Sequence, residues 1–480
     1  MVFSSTLFLF IFLPIAIGGH LLLPQKLRNL WLLLVSLLFY AWGEPQLVWV
    51  MLATILSNYM FGLWIGRLRG TPAATRALAV AITVDLTVLG AFKYAGFIAK
   101  SVNSLTSAIG LPALPVPDWV MPLGISFFTF HAMSYVIDVY RRDAEPQKNL
   151  ANLALYVTLF PQLVAGPILR YHEVAWQFPR RQLSVPGAAY GMQRFLVGLG
   201  KKVLVANTLA VPCDRIFALP PEQLTLGTSW LGILCYTGQI YFDFSGYSDM
   251  AIGLGHMLGF RFPENFRWPY ASQSIREFWR RWHISLSNWF RDYLYIPLGG
   301  NRRGPWRNAL NLLIVFFLCG LWHGASWAFI AWGLYHGAFL ALERTRWGSW
   351  MDALPRPLRH TYALLVVIVG WVPFRAPTLS QTWPFLKAML GLGGPPEVWP
   401  ILQFLTLDVG VALVIGVLGA MPLLPWLGAR IEAFGQTGGL GVATRHASAL
   451  VAIVAMLAML LACSVMLAAS THNPFIYFRF

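Results

Sequence analysis

Apolar stretches of about 20 residues, the length a helix needs to cross a bilayer, recur along this chain from residue 6 to residue 468. No polar block between them is long enough to fold alone. The pattern points to one all-α polytopic membrane bundle over residues 1–480. Candidate spans lie near 6–23, 30–43, 47–66, 77–98, 121–140, 187–212, 228–260, 361–378, 402–428 and 447–468. Residues 308–342 are too long for one crossing, and Gly320 and Gly324 predict a break there, with a crossing on either side of His323. Residues 151–169 carry Pro161, Gly166 and Pro167 and fit a re-entrant segment better than a continuous span. About 10–12 spans plus re-entrant segments result.

Composition agrees. Charged residues make up 11% of the chain, against roughly 25% in a soluble domain. The net charge of +16 sits mainly in short connections, as expected of cytoplasmic loops beside anionic lipid, so a nucleic-acid partner is not called for. The first apolar run, Leu7 to Leu23, lacks a basic leader and an evident cleavage site and is read as a retained helix. Cys213, Cys235, Cys319 and Cys463 show no metal or redox spacing and read as small buried hydrophobes.

The basic loops set the orientation. Lys26 and Arg28, then Arg67, Arg69 and Arg76, then Arg141, Arg142 and Lys148, then Arg344, Arg346, Arg356 and Arg359, then Arg430 and Arg445 can all lie inside. Gly43–Gln46 and residues 99–120 then lie outside, as do both termini. Lys201-Lys202 strains this scheme, because it falls partway along a crossing: either that helix starts later or it encloses a functional cation.

Residues 261–307 differ from the rest, with nine arginines against three acids. Ser274-Ile275-Arg276-Glu277 has capping-box spacing and Pro297 with Gly299-Gly300 supplies a stop, which predicts a helix over about 275–295. Helical spacing puts Trp279, Trp282, Leu286, Trp289 and Tyr293 on one stripe, and Arg276, Arg280, His283, Ser287 and Arg291 on another, so that His283 sits among arginines. Such a helix can rest at the bilayer interface. It can also form a cationic mouth for an anionic cytosolic substrate, with guanidinium forks on phosphates. The two readings are compatible.

Asp243 and Asp249 fall inside an apolar run. A structural pairing with a nearby arginine is preferred to catalysis, and no metal set converges in the sequence. His323, in Gly320-Leu321-Trp322-His323-Gly324, lies within an apolar stretch flanked by small residues. A lone apolar-face histidine is more often a hydrogen-bonded core residue than a catalyst, yet a neutral imidazole is the usual group for taking a hydroxyl proton near neutral pH. His336 reads as structural, and the remaining histidines form no ligand-spaced set. Gly198-Leu199-Gly200-Lys201 lacks the spacing and strand context of a phosphate loop. The chain ends in an aromatic tail, Phe475-Ile476-Tyr477-Phe478-Arg479-Phe480, which reads as an interfacial anchor or as an element able to reach a neighbouring cavity.

Arg280-Arg281-Trp282-His283-Ile284-Ser285-Leu286-Ser287, followed by Leu321-Trp322-His323-Gly324-Ala325, resembles the membrane-bound O-acyltransferase family. Tyr241-Phe242-Asp243-Phe244-Ser245-Gly246-Tyr247-Ser248-Asp249, Gly124-Ile125-Ser126-Phe127 and the opening Met1-Val2-Phe3-Ser4-Ser5 resemble its bacterial members that acetylate exported polysaccharide. The likeness covers essentially the whole chain and is strongest over about 120–345. It implies a helical shell around a tunnel or funnel in the bacterial inner membrane, with 120–345 as catalytic core and 470–480 as an extracytoplasmic tail. The implied reaction takes acetyl from cytosolic acetyl-CoA, a donor substrate rather than a bound cofactor, and delivers it outside to an acetyltransferase partner protein that modifies the polymer. Alginate is the first candidate, with acetylated cellulose or peptidoglycan as others. On the same resemblance His323 is the catalytic histidine, His283 the second active-site position, and Tyr477 the first acetyl acceptor. Arg280, Arg281 and Arg291 would hold the CoA phosphates. No metal and no tightly bound cofactor is implied. A transporter of polysaccharide or lipid-linked sugar is the alternative, but such proteins commonly repeat their broken helices in two halves, and no second copy of either histidine segment occurs.

Overall fold

The computed structural model describes residues 1–181, 183–395, 401–435 and 439–469. The principal helices are α1 (Phe8–Leu22), α2 (Gln25–Gly43), α3 (Val48–Arg67), α4 (Pro72–Ser107), α5 (Ile125–Arg141), α6 (Leu150–Thr158), α7 (Val185–Phe217), α8 (Leu226–Met257), α9 (Ile275–Arg281), α10 (Ile284–Phe290), α11 (Pro305–His323), α12 (Trp327–Leu342), α13 (Arg356–Arg375), α14 (Leu407–Gly419), α15 (Leu423–Gly435) and α16 (Gly439–Ala469). The apolar runs read as crossings are helical except 402–428, which a turn at 420–422 splits between α14 and α15, and the 308–342 stretch breaks after His323 as its glycines predict. Among the described residues, six helices (α3, α4, α7, α11, α13 and residues 443–469 of α16) are long and apolar enough to cross a membrane. The chain is a multi-pass membrane protein.

Burial sorts the helices into a centre and a shell. Every residue of α5 from Ile125 to Val139 is buried, as is most of α8. A helix buried on all sides is a core element, and these two carry polar residues, including Asp138, Asp243 and Asp249, that lipid would not accept. The outer helices expose Trp49, Leu56 and Met60 on α3, and Leu450, Val454 and Leu457 on α16, as a hydrocarbon-facing surface requires.

Small residues set the closest approach of core and shell. A Cβ on Gly198 would lie 2.5 Å from the Gly246 carbonyl oxygen, and one on Gly253 would lie 2.4 Å from that of Gly191. Helices α7 and α8 therefore pack backbone to backbone, as membrane helices do where small residues line the seam. Of the glycines before Lys201, Gly198 serves this contact and Gly200 meets Met459 of α16. Of the two alternatives for Lys201-Lys202, the helix encloses the cations, and Asp243 and Asp249 form structural pairs, with an arginine on Asp249 and lysines on both. Lys202 pairs with Asp243 at 2.8 Å, Lys201 with Asp249 at 2.6 Å, and Arg194 with Asp249 at 2.7 Å. The α7–α8 seam fixes these pairs.

The 151–169 segment is a short helix, α6, followed by buried irregular backbone through Leu169. Protein surrounds this stretch, the setting in which non-helical backbone is tolerated at membrane depth. Its carbonyl groups meet α5 at Gly124, whose left-handed φ of 71° and whose Cβ position, 3.1 Å from the Leu163 carbonyl oxygen, both call for glycine.

The helix expected over 275–295 is interrupted. Ser274 caps α9 by accepting from the Glu277 N–H at 3.0 Å, and Glu343 accepts from the Ile275 and Arg276 N–H groups at 2.6 and 2.9 Å, so both side chains hold the helix start. The helix then stops: Trp282 is extended and His283 left-handed, at φ 43°, before α10 begins and ends in a π-helical turn, Arg291–Tyr295. The cause is tertiary. Asn265, on the extended segment after α8, accepts from Ser285 N–H and Ser285 Oγ and its own carbonyl accepts from Ile284 N–H, while Arg267 N–H donates to the Arg281 carbonyl. These bonds replace the helical ones that the break removes.

Candidate active site

Helices α11 and α12 form a hairpin built on close contact: a Cβ on Gly320 would lie 2.3 Å from the Phe329 carbonyl oxygen, and one on Gly333 2.2 Å from that of Phe316. His323 is the last residue of α11. Gly324 is extended, and Ser326 caps the returning helix by accepting from Phe329 N–H at 3.4 Å. The end of α11 is held from α4. The Tyr94 hydroxyl donates to the Leu321 carbonyl at 2.9 Å, and the Lys93 ammonium donates to the Trp322 carbonyl at 2.5 Å and to Ser126 Oγ at 2.9 Å. A cation at a helix C-terminus also meets the negative end of the helix dipole.

His323 is 3% exposed, with Trp332 and Phe374 edge-on at ring-centroid distances of 5.0 and 5.1 Å. His283 is fully buried 6.5 Å away, its ring packed edge-on to Phe244 at 4.6 Å. The arginine stripe predicted around His283 is therefore corrected: the αL break turns this residue out of the helix and into the aromatic core. Its Nδ1 lies 3.2 Å from Asn265 Oδ1. That atom is the amide oxygen, because the Ser285 backbone N–H donates to it. Nδ1 thus carries the proton, and Nε2 is the lone-pair nitrogen of neutral His283.

One cavity reaches α11 at Cys319, and a second is lined by His323, one helical turn later. The first, of about 540 Å3, is lined by Arg276, Arg280, Arg291 and Arg344 at its mouth and by Trp279, Phe316 and Cys319 deeper in. The second, of about 420 Å3, is lined by Glu44, Lys93, Gly124, Ser126, Trp322 and His323. The connections assigned inside gather on the first side: Arg69 pairs with Glu145 at 2.9 Å, and Arg141 donates to the Asp292 carbonyl at 2.9 Å. Gly43 and Glu44, from a connection assigned outside, and Met1, from a terminus assigned outside, border the second cavity.

Of the predicted phosphate ligands, Arg280 and Arg291 line the basic cavity, joined by Arg276 and Arg344. Arg281 does not: it pairs with Glu277 at 2.7 Å and donates to the Arg267 carbonyl at 3.3 Å. Both arginines lie in α9, where consecutive side chains point about 100° apart, so Arg281 leaves the face that Arg280 presents to the cavity. Tyr477 and the 470–480 tail lie outside the described residues. His336 is buried against Trp279, as its structural reading required. Among the described residues, no three His, Cys, Asp or Glu side chains converge as a metal set. Sequence reasoning missed Lys93, Tyr94, Asn265 and Glu343. A lone lysine inside the 77–98 apolar run was a readable signal for the first; the others carried none.

Fold and site together define an integral membrane protein with a buried histidine pair, a cavity lined by His323, and a basic cavity ending one helical turn away that is suited to an anionic substrate. A sequence profile of the MBOAT, membrane-bound O-acyltransferase family, matches residues 72–379. The chain belongs to this family and is an O-acyltransferase. It is 44% identical to a probable alginate O-acetylase of Azotobacter vinelandii, over the full length of both chains. A probable alginate O-acetylase of Pseudomonas aeruginosa is 48% identical over 82% of this chain and 75% of its own length. A peptidoglycan O-acetyltransferase of Helicobacter pylori is 34% identical over 82% of this chain and 80% of its own.

Proposed function

We propose that this protein transfers acetyl from cytosolic acetyl-CoA, across the bacterial inner membrane, for O-acetylation of an exported polysaccharide, with alginate as the first candidate polymer. The observation that carries this reading is that His323 lines one cavity while Cys319, one turn earlier on α11, lines the basic one. Acetyl-CoA enters from the basic side, where Arg276, Arg280 and Arg291 take its phosphates. The thioester reaches the aromatic core around Cys319, where water is scarce and hydrolysis is suppressed. An acceptor hydroxyl enters from the other side.

His323 takes the hydroxyl proton as the oxygen attacks the thioester carbon. The tetrahedral intermediate collapses, CoA leaves as thiolate, and the protonated imidazole returns the proton to sulfur. His283 holds the reacting groups through its Nε2 lone pair. The acetyl ester passes to an extracytoplasmic acetyltransferase partner, with Tyr477 as first carrier. On this reading residues 120–345 are the catalytic core and 470–480 an extracytoplasmic tail.

The identities of 44% and 48% to alginate O-acetylases support alginate above peptidoglycan. The test incubates purified protein with acetyl-labelled acetyl-CoA and compares the native chain with His323→Ala and Tyr477→Phe by mass spectrometry. Label on Tyr477, absent from both variants, supports transfer and carrier together. CoA release that depends on His323 without label on Tyr477 removes the carrier and keeps the transferase. Release that persists in His323→Ala removes the assigned base.

A further inference from the structure

The reaction proposed above needs a donor for the oxyanion of its tetrahedral intermediate, and neutral His283 does not supply one: its ring N–H is committed to Asn265 Oδ1. We propose that Lys93 is that donor and a catalytic residue. The inference rests on the acyl-transfer reading, and three observations of the structure carry it.

The first is position. Lys93 lines the same cavity as His323, and also lines a second cavity of about 400 Å3 with Gly324 and Ser326, the residues that follow His323 in the hairpin turn. The second is anchoring. Its bonds to Ser126 Oγ and to the Trp322 carbonyl, the carbonyl of the peptide that joins Trp322 to His323, fix the ammonium against the backbone of the catalytic residue. The third is valence. An ammonium has three N–H donors, two are used, and the remaining one is available to the cavity space that Lys93 borders. Burial of the side chain, 8% exposed, keeps water from competing for that proton.

The step balances without another reactant. The acceptor oxygen bonds to the thioester carbon, the carbonyl pair moves onto oxygen, and the third Lys93 N–H meets the negative charge there. His323 holds the acceptor's proton meanwhile. Collapse restores the carbonyl, breaks the carbon–sulfur bond and delivers that proton to the CoA sulfur, and Lys93 ends as it began. A donor fixed in advance is the most effective kind, because nothing need reorient as charge develops.

The test measures acetyl-CoA turnover by the full-length protein in nanodiscs, comparing Lys93→Met, Lys93→Ala, Lys93→Arg and Tyr94→Phe. Tyr94 bonds the same helix end but lines neither cavity, so it reports the structural share. Lys93→Met should lower kcat by about 10²–10³-fold, the loss seen when one oxyanion donor is removed, with KM for acetyl-CoA unchanged. Tyr94→Phe should lose less than tenfold, Lys93→Arg should recover part of the rate, and added ethylamine should raise turnover of Lys93→Ala, whose truncation leaves room for the amine, but not of Tyr94→Phe. Equal losses in Lys93→Met and Tyr94→Phe, or no amine rescue with native-like KM, would overturn the inference. If Lys93→Met does not accumulate as folded protein, Lys93→Gln, which keeps a donor to the Trp322 carbonyl, takes its place with the same criteria. A native chain without turnover would instead refute the acyl-transfer reading, whereas native turnover lost in His323→Ala and kept in Lys93→Met would refute Lys93 alone.

Discussion

The two cavities lined by successive turns of α11, at Cys319 and at His323, are built on opposite plans. The basic one gathers four arginines at an open mouth, where each charge keeps much of its water and the site works by summed potential. The other borders one lysine and one histidine, both almost fully buried and each held by specific neighbours. Binding of a polyanion tolerates the first plan, because several cations share the load and none needs an exact position. Bond making requires the second, because a donor displaced by an ångström no longer stabilises the transition state.

Breaking the buried side should cost most. His323→Ala should lower turnover by about 10²–10⁴-fold, the usual contribution of a general base, while acetyl-CoA binding measured by calorimetry stays within twofold. Weakened binding in that variant would mean that His323 belongs to the donor site, and the contrast between the cavities would fail. Asn265→Ala comes next. It frees Ser285 N–H and His283 Nδ1 together, a cost of about 1–3 kcal/mol per buried group left unpaired, so a lower melting temperature in detergent and slower turnover should appear together. Turnover at the native rate would show that the tautomer of His283 does not matter.

The open side should respond more gently. Arg280→Gln and Arg291→Gln should each raise KM for acetyl-CoA several-fold with little change in kcat, and the penalty should shrink as salt rises, since exposed charges are screened over about 8–10 Å. Arg281→Gln, paired with Glu277 and turned from the cavity, should leave KM as it is. A loss in kcat instead of KM would move these arginines into the chemistry.

The smallest effect concerns pH at the basic end. His172 donates a hydrogen bond to Asp138 at 2.9 Å, and that bond, ahead of the opposing cost of burial, holds its pKa above the ordinary histidine value. A raised folded pKa contributes stability in full below the unfolded value, about 6.5, and loses it as pH climbs through the folded value. The melting temperature of the native chain should therefore exceed that of His172→Gln most at pH 5.5, and the gap should narrow by pH 8.5. A gap that widens with pH would reverse the assigned linkage.

Much of this molecule was legible without coordinates. Length and hydropathy located the helices, because a segment in lipid must satisfy its own backbone. Gly320 and Gly324 marked the hairpin break, and basic loops grouped the connections that border the arginine cavity. Resemblance placed His323 and His283 in one site, and the structure sets their rings 6.5 Å apart. Periodicity failed at residues 282–283, where it predicted a continuous helix. No local rule could foresee that Asn265, eighteen positions upstream of His283, would provide the bonds that compensate for the break. The same failure put His283 among arginines.

The sequence alone determined that this chain is a membrane bundle, roughly where most of its apolar helices lie, and which end is basic, since these depend on transfer energies and loop charges that sum along the chain. Tertiary structure decided where the 275–295 helix breaks, which charges are enclosed together, which arginines face the cavity, and which lysine stands beside the peptide that joins Trp322 to His323. Those outcomes depend on contacts between α4, α5 and α11, segments separated by up to 229 positions, and the geometry of such contacts is fixed only when the helices pack.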